Sequence, residues 1–240
     1  MNGAQDVFVR DLEAGTIERV TLGDTGQESN GSSFASGFSG DARYLVFCSD
    51  ASNLVPDDTN TGFDVFLRDQ NVPAFPNLCQ PGLGGTVACP CGNPASGPGR
   101  GCDNSSFTGG AILAAGGGAY LSSDSLTLFT SAEKPTALSI VLQGTSALPG
   151  GVAYGQGVRC VGGSLKRLFT KSASGGGIVA PNFAVGDPQV HARSLQLGDP
   201  LSAGATRWYM VYYRDPIVLG GCPASSTFNA TQTIEVSWSF

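Results

Sequence analysis

The sequence predicts an all-β protein built in two parts, and three observations lead to this prediction. Glycine and proline contribute 35 and 14 of the 240 residues, a composition typical of turn-rich β proteins. Short apolar runs rich in β-branched and aromatic residues alternate with breaks of Gly, Asp, Asn or Pro. Six of the seven cysteines follow residue 78, so the two parts differ in chemistry.

The first part, residues 1–70, contains four strand-like runs. They are "DVFVRDL" from Asp6, "TIERVTL" from Thr16, "ARYLVFCS" from Ala42 and "DVFLRD" from Asp64, with a turn at 13–15 between the first two. We therefore predict a four-stranded antiparallel sheet. The first and last runs nearly repeat each other, and this repeat occurs twice in the chain.

These residues resemble a known repeat. "DVFVRDLEAGTIERVT" and the segment 29–69 closely resemble the TolB-type β-propeller repeat, including the turn "SGDAR" at 39–43, where Ala42 stands at the usual second glycine. The resemblance implies a propeller blade plus the first strand of the next blade, whereas a closed propeller needs roughly four to eight blades. Open sheet edges favour pairing with another chain, so we expect a homo-oligomer formed through the open blade edge.

A Pro/Gly-rich junction at 71–88 separates the two parts, with the boundary expected near 70–78. The second part, 89–240, continues with strand-like runs at 119–131, 138–144, 165–171, 206–215 and 233–240. The last run alternates cleanly, as a half-buried antiparallel strand does. The run "RWYMVYY" from Arg207 is apolar on both sides and so predicts a central strand. We predict a disulfide-stapled β-sandwich or jelly-roll-like domain.

The second part also resembles a known sequence type. "CPCGNPASGPGRGCDNSSFTGGAIL" from Cys89 and "GATRWYMVYYRD" from Gly204 are similar to an uncharacterised, cysteine-containing C-terminal module of large secreted proteins from planctomycete- and myxobacteria-like organisms. This resemblance covers about residues 79–240. It implies a secreted context and the use of cysteine in disulfides, and it carries no activity with it.

The cysteines of the second part favour disulfides over zinc. Cys-Pro-Cys is one residue short of a zinc knuckle, no second close pair follows, and the chain has one histidine. Six cysteines allow fifteen connectivities, which the sequence leaves open. Cys48 lies in a strand-like run and is expected to be a buried free thiol. The six expected in disulfides are Cys79, Cys89, Cys91, Cys102, Cys160 and Cys222.

Disulfides place the protein outside the cell or in the periplasm. The first ten residues lack a basic region followed by an apolar one, so we expect any export signal to lie outside this chain. The net charge of −6 and the pI near 4.6 argue against nucleic acid as a partner, and the cations of 162–171 fit a solvated strand face. No apolar run is long enough for a membrane span.

One loop has the ligand chemistry of a calcium site. Asp58, Asn60 and Asp64 supply hard oxygen ligands around Gly62, which permits a tight turn. The loop lacks the bidentate glutamate of an EF-hand. The alternative is a polar loop whose carboxylates cap backbone amides.

Aromatic residues of the central strand are candidate ligand contacts. Alternation places Trp208 and Tyr212 on one side and Tyr209 and Tyr213 on the other, and at least one pair should belong to the core. Flat ring faces complement pyranose faces, so Trp208 and Tyr212 are the predicted polysaccharide contacts.

No motif in the sequence identifies a particular reaction. His191, Asp124 and Asp215 are the catalytic candidates, and an Arg214–Asp215 ion pair is the structural alternative for the last. A glycosidase needs two carboxyl groups at a defined separation, which the sequence cannot pair. We therefore expect a non-catalytic extracellular binding or surface-attachment module. The alternative is a hydrolase, a glycosidase or a metal-assisted esterase or phosphoesterase. Its carboxylates would come from the second part or a subunit interface: Asp124, Glu133, Asp187, Asp199, Asp215 and Glu235.

Overall fold

A computed structural model describes residues 3–10, 17–23, 27–39, 44–55, 58–60, 62–69 and 75–240. Over these ranges the chain is almost entirely β, which confirms the predicted fold class. The predicted turn at 13–15, residues 40–43 of the "SGDAR" turn and residues 71–74 of the junction lie outside the described residues. Where the structure describes the chain, no helix is long and apolar enough to span a membrane.

The strands and helices follow one another in this order: β1 (Phe8–Arg10), β2 (Ile17–Arg19), β3 (Ser33–Phe38), β4 (Tyr44–Ser49), β5 (Asp64–Asp69), β6 (Asn77–Leu78), β7 (Ile112–Gly116), β8 (Thr127–Ser131), β9 (Leu138–Tyr154), β10 (Gly157–Ser172), β11 (Val179–Ala180), a 3-10 turn (Phe183–Val185), α1 (Val190–Gln196), β12 (Thr206–Arg214), β13 (Phe228–Ala230) and β14 (Thr233–Ser237). The chain divides into two compact units, unit 1 (Met1–Val72) and unit 2 (Pro73–Phe240).

Unit 1 contains two small antiparallel sheets. β1 pairs with β2, and β3, β4 and β5 form a separate three-stranded sheet. The single four-stranded blade predicted from sequence is therefore divided, because β2 pairs with β1 and does not join β3. A small core fills unit 1, consisting of Val7, Val20, Leu45, Phe47, Ala51 and Leu54.

The alternation of β4 determines which side of the three-stranded sheet is buried. Leu45 and Phe47 point into the core of unit 1, and the ring of Phe66 on β5 stacks on Phe47 with centroids 5.3 Å apart. Val46 and Cys48 belong to the opposite face. The alternation of side chains along β4 therefore produces one core face and one outer face in this sheet.

Unit 2 is a sandwich of two antiparallel sheets. The larger has the order β10-β9-β12-β14-β6, with β13 also paired to β12, and the smaller has the order β11-β8-β7. Tyr209, Val211 and Tyr213 of β12 are buried in the core of unit 2, and Met210 is buried on the opposite side of the strand. β12 is thus the central strand covered on both sides that its composition predicts. Much of the core consists of Leu113, Leu126, Leu128, Val141, Leu168, Ile234, Val236 and Trp238.

A long hairpin covers part of the other face of the larger sheet. β9 and β10 run for 17 and 16 residues, far beyond the predicted 138–144 and 165–171. Their register shifts near Gly162, and a Cβ on Gly144 would lie 2.3 Å from Val161 Cγ1, so the strands come very close at this bend. Val161 packs on Leu142 and Met210, and Gln156 at the tip donates its N–H to Phe228 O at 2.8 Å. The outer half of the hairpin therefore folds back over β12 and β13.

Three disulfides cross-link unit 2. The pairs are Cys79–Cys160, Cys89–Cys102 and Cys91–Cys222, which confirms the disulfide-stapled domain. This set of pairs is one of the fifteen connectivities that the sequence left open. Cys48 is a free thiol, as expected, but it is half-exposed on the outer face of β4 and is not buried.

The predicted strand at 119–131 begins only at Thr127. Upstream of it the chain turns, with Ser123 N–H donating to Tyr120 O, and Asp124 is occupied by contacts with α1. The helix α1 was not predicted from sequence.

Candidate functional site

The outer side of β12 presents the aromatic residues predicted to bind ligand. Trp208 and Tyr212 lie on it and are half-buried, whereas Tyr209 and Tyr213 are buried in the core. Trp208 faces Glu235 directly across the β12–β14 pair, and its Nε1–H donates to Glu235 Oε2 at 2.9 Å. The two residues are four positions apart, so their Cα atoms are roughly 13 Å apart along the strand. This length exceeds one pyranose ring.

Tyr212 belongs to an aromatic cluster contributed by three strands. Its ring meets Tyr154 at 5.7 Å and 85°, and Tyr154 meets Phe228 at 4.8 Å and 69°. Guanidinium groups lie over two of these rings, with Arg167 Cζ 6.0 Å from the Tyr212 centroid and Arg159 Cζ 5.5 Å from the Tyr154 centroid. Burial raises the pKa of Tyr212 above its ordinary value, with Tyr154 adding to the effect.

We call this surface the outer aromatic face, consisting of Tyr154, Arg159, Arg167, Trp208, Tyr212, Phe228 and Glu235. It combines flat apolar rings with two cations and one carboxylate at the rim. Sequence reasoning found the two β12 residues through their alternation. It missed Tyr154 and Phe228, because only the folded-back hairpin brings Tyr154 against the end of β12.

Two catalytic candidates, Asp124 and His191, are in direct contact. Asp124 is fully buried, and its Oδ2 lies 3.0 Å from His191 Nδ1 and accepts the backbone N–H of His191 at 2.8 Å. Asp124 Oδ1 accepts the N–H of Leu126 at 2.9 Å. The carboxylate therefore caps the start of α1 and fixes the imidazole orientation, as the acid of an acid–histidine pair does. The histidine side chain is 28% exposed, so solvent reaches the ring.

The third candidate, Asp215, is held by a loop serine. Its Oδ2 accepts Ser105 N–H at 3.0 Å, and Ser105 Oγ–H donates to its Oδ1. Lys134 Nζ donates to Ser105 Oγ at 3.3 Å. The expected ion pair with Arg214 is wrong, since the Arg214 guanidinium donates to Thr227 Oγ1 at 2.9 Å. Arg214 is the last residue of β12, whereas Asp215 lies beyond the strand and accepts a hydrogen bond from Ser105, which separates the two side chains.

The remaining carboxylates of the pool make structural contacts. Arg207 donates to Asp199 at 2.7 and 3.0 Å, and these hydrogen bonds lower the pKa of Asp199. Asp187 accepts from Lys171 and from the N–H of Asn182. Glu133 accepts from Ser139 Oγ, and its burial raises the pKa of this carboxyl. Asp124, Asp187, Asp199, Asp215 and Glu235 thus have different partners, and each holds a different part of the fold.

The predicted calcium residues line a cleft of about 510 Å³ in unit 1. Asn60 connects them, because its Nδ2 donates to both oxygens of Asp64 at 3.0 and 3.2 Å and its backbone N–H donates to Asp58 Oδ1 at 3.2 Å. Asn60 Oδ1 accepts Gly62 N–H at 2.7 Å. The three side chains are therefore brought together and share hydrogen bonds. In the part of the chain that the structure covers, no three His, Cys, Asp or Glu residues converge as a metal site.

Comparisons with known proteins give no match: no family model, no curated protein and no solved structure corresponds to this chain.

Proposed function

We propose that unit 2 is a non-catalytic extracellular binding or surface-attachment module that holds polysaccharide on its outer aromatic face. The observation that carries the proposal is the placement of Trp208 and Tyr212 on one side of β12, with Cα atoms roughly 13 Å apart along the strand. Three disulfides are consistent with an oxidising compartment outside the cytoplasm.

The chemistry of the rim supports a sugar ligand. Rings offer apolar surface to the C–H groups of a pyranose. Arg159 and Arg167 offer cations to hydroxyls and sugar carboxylates, and Glu235 offers an acceptor to hydroxyls. The rings are also held rigidly, because Trp208 donates a hydrogen bond to Glu235 and Tyr212 packs edge-on against Tyr154. A pre-ordered surface loses little side-chain entropy on binding. The spacing of Trp208 and Tyr212 along β12 is longer than one pyranose ring, so it favours a chain of sugars over a monosaccharide.

Native gel electrophoresis with soluble polysaccharides in the gel tests the proposal. We expect neutral or acidic polysaccharide to retard the wild-type protein, Trp208→Ala to lose the retardation and Trp208→Phe to retain part of it. The matched control is Phe183→Ala, which removes a half-exposed ring from the 3-10 turn. Circular dichroism establishes that each variant is folded.

Tryptophan fluorescence adds a direct readout of binding. The chain has two tryptophans, and Trp238 is 1% exposed, so a ligand-induced change in emission reports on Trp208. Equal retardation of wild type and Trp208→Ala, or migration unaffected by every polysaccharide in a panel of neutral, acidic and amino-sugar polymers, contradicts the proposal.

The Asp124–His191 pair favours a second candidate function, hydrolysis of an ester or a related bond. A histidine oriented through Nδ1 by a buried carboxylate can serve as a general base through Nε2. Turnover of aryl ester, aryl phosphate or aryl glycoside substrates is measured with and without EDTA. The hydrolase candidate requires turnover that His191→Gln abolishes and that Arg193→Gln, two residues further along α1, leaves intact. Turnover equal in both variants rejects it.

A further inference from the structure

The three-stranded sheet of unit 1 has an uncovered apolar face. The register places Phe34, Cys48 and Val65 in one row and Val46 and Leu67 in the next. Directly paired residues project to the same side of a sheet, so these side chains share a surface. Phe63 extends it, with its ring 6.1 Å from that of Phe34. We call these six residues the outer sheet face: Phe34, Val46, Cys48, Phe63, Val65 and Leu67.

The internal repeat shows that this kind of surface is built for packing. The motif Asp-Val-Phe-x-Arg-Asp begins at Asp6 and at Asp64, so Val65 and Leu67 correspond to Val7 and Val9. In the first copy, Val7 is buried in the unit 1 core and Val9 packs against it. In the second copy, Val65 and Leu67 are 72% and 65% exposed. The apolar pair is therefore covered in the first copy of the repeat and exposed in the second.

The exposed area matches what a modest dimer requires. Phe34 and Phe63 are 48% and 60% exposed, which leaves on the order of 200 Å² of ring surface. Val65 and Leu67 bring the patch to on the order of 400 Å², a size that marks interaction sites. Two copies packed face to face would bury on the order of 800 Å² of apolar area. Apolar atoms supply roughly 60% of the area of an interface, so the total buried area would reach about 1,300 Å². This value is at the lower end of stable interfaces.

We propose that the outer sheet face docks on the same face of a second copy of this chain. The contact is isologous, because one patch is its own partner across a two-fold axis. It differs from the expected pairing through the open blade edge, since it uses side chains of the sheet face and not the outer backbone edge of β5. It is independent of polysaccharide binding, which concerns unit 2.

Sedimentation velocity from about 1 to about 100 µM, a range bracketing a micromolar Kd, measures the association. We expect a concentration-dependent dimer whose Kd rises at least about tenfold, equivalent to about 1.4 kcal/mol, in Val65→Thr/Leu67→Thr. Threonine keeps high strand propensity and an unchanged backbone, so edge pairing would survive this variant. The matched control, Ile17→Thr, removes an apolar side chain that is 64% exposed on β2 and leaves the Kd unchanged.

Cys48 provides a second readout within the face. The other six cysteines are in disulfides, so a maleimide reports on this thiol alone. We expect its labelling to slow as the protein concentration passes the Kd, and to become independent of concentration in the double variant. A monomer at about 100 µM overturns the proposal. So does a dimer that persists in Val65→Thr/Leu67→Thr with Cys48 freely labelled, because that dimer would use the β5 edge or another surface.

Discussion

The two units differ in how they cover the apolar faces of their sheets. Each contains a sheet with two apolar faces, and each covers the first face with a second, smaller sheet. Unit 2 also covers part of the second face of its larger sheet, because the β9–β10 hairpin bends at Gly144 and returns over Met210. Unit 1 leaves Val65 and Leu67 exposed. The hairpin leaves the rings of Trp208 and Tyr212 half-exposed on unit 2, whereas unit 1 leaves a whole apolar sheet face uncovered.

The units also differ in how their chains are constrained. Unit 2 has three disulfides and a large core around Tyr209, Tyr213 and Trp238. Unit 1 has a core of six buried residues and no disulfide among its described residues. Small cores give marginal stability on their own. We therefore expect two unfolding transitions, with unit 1 unfolding first.

Removing the longest disulfide link should have the largest effect. Cys91–Cys222 joins residues 131 apart and Cys89–Cys102 residues 13 apart. Chain-entropy estimates for single loops are about 5 and about 3 kcal/mol. We expect Cys91→Ser/Cys222→Ser to destabilise unit 2 more than Cys89→Ser/Cys102→Ser does. Guanidinium unfolding followed by tryptophan fluorescence reports on unit 2 alone, because Trp208 and Trp238 both lie in it.

Circular dichroism supplies the control for this comparison. The early transition of unit 1 should be the same in both disulfide variants, since neither touches its core. Equal losses in the two variants would show that unit 2 is held by its core and not by the length of the loops that the disulfides close.

Much of this architecture was predictable from local sequence. Strand positions follow from apolar runs and turn residues, and the two sides of β12 follow from alternation of Tyr209 and Tyr213 with Trp208 and Tyr212. The length of β9 and β10 was not predictable, because "SALPGGVAYG" resembles a loop when read alone. Its strand character depends on pairing with the equally glycine-rich start of β10.

The candidate site was only partly predictable, for the same reason. Asp124 and His191 were each named, but their separation of 67 positions in the sequence hides their contact. Tyr154 meets Tyr212 only after the hairpin bends, and no local pattern marks that bend beyond its glycines. Long-range pairing of this kind is fixed by tertiary packing, which single-sequence periodicity does not contain.

Phe47→Ala tests the dependence of unit 1 on its small core. Phe47 is 3% exposed and stacks on Phe66, so its truncation should cost about 3–5 kcal/mol, enough to unfold unit 1. We expect loss of the first transition by circular dichroism with unchanged tryptophan emission from unit 2. Phe34→Ala, on the exposed face, should change stability by about 0.5 kcal/mol or less at concentrations below the dimer Kd. A simultaneous change in tryptophan emission would mean that the units unfold together.

Glu133→Gln should stabilise unit 2 at neutral pH. Burial raises the pKa of Glu133 above its ordinary value of 4.5, so the folded state binds this proton more tightly than the unfolded state. Its contribution is present below pH 4.5 and is lost as the pH rises through the raised pKa. Glutamine carries no charge and avoids that loss. The difference in free energy of unfolding between variant and wild type should therefore grow from pH 4.5 towards neutrality.

Asp199→Asn is the control with the opposite sign. Hydrogen bonds from Arg207 lower the pKa of Asp199 below 3.8, so its contribution is present above pH 3.8 and is lost at lower pH. The asparagine variant should be less stable than wild type at neutral pH, and the gap should close in acid. A Glu133→Gln variant that tracks wild type at every pH would show that the buried carboxyl is as well solvated as in the unfolded chain.

The smallest expected effect is that of calcium on unit 1. Asp58 and Asp64 could hold Ca²⁺ only if the Asn60 amide turned its oxygen towards them, which replaces two hydrogen bonds that it donates to Asp64. For a site of the affinity found in extracellular modules, millimolar Ca²⁺ adds about 1 kcal/mol. The prediction is a Ca²⁺-dependent rise in the first melting transition that Asp58→Ala and Asp64→Ala each abolish and Asp69→Ala retains. The same rise in Asp64→Ala as in wild type would contradict a calcium site in this loop. The loop would then be a polar turn whose side chains satisfy one another's hydrogen bonds.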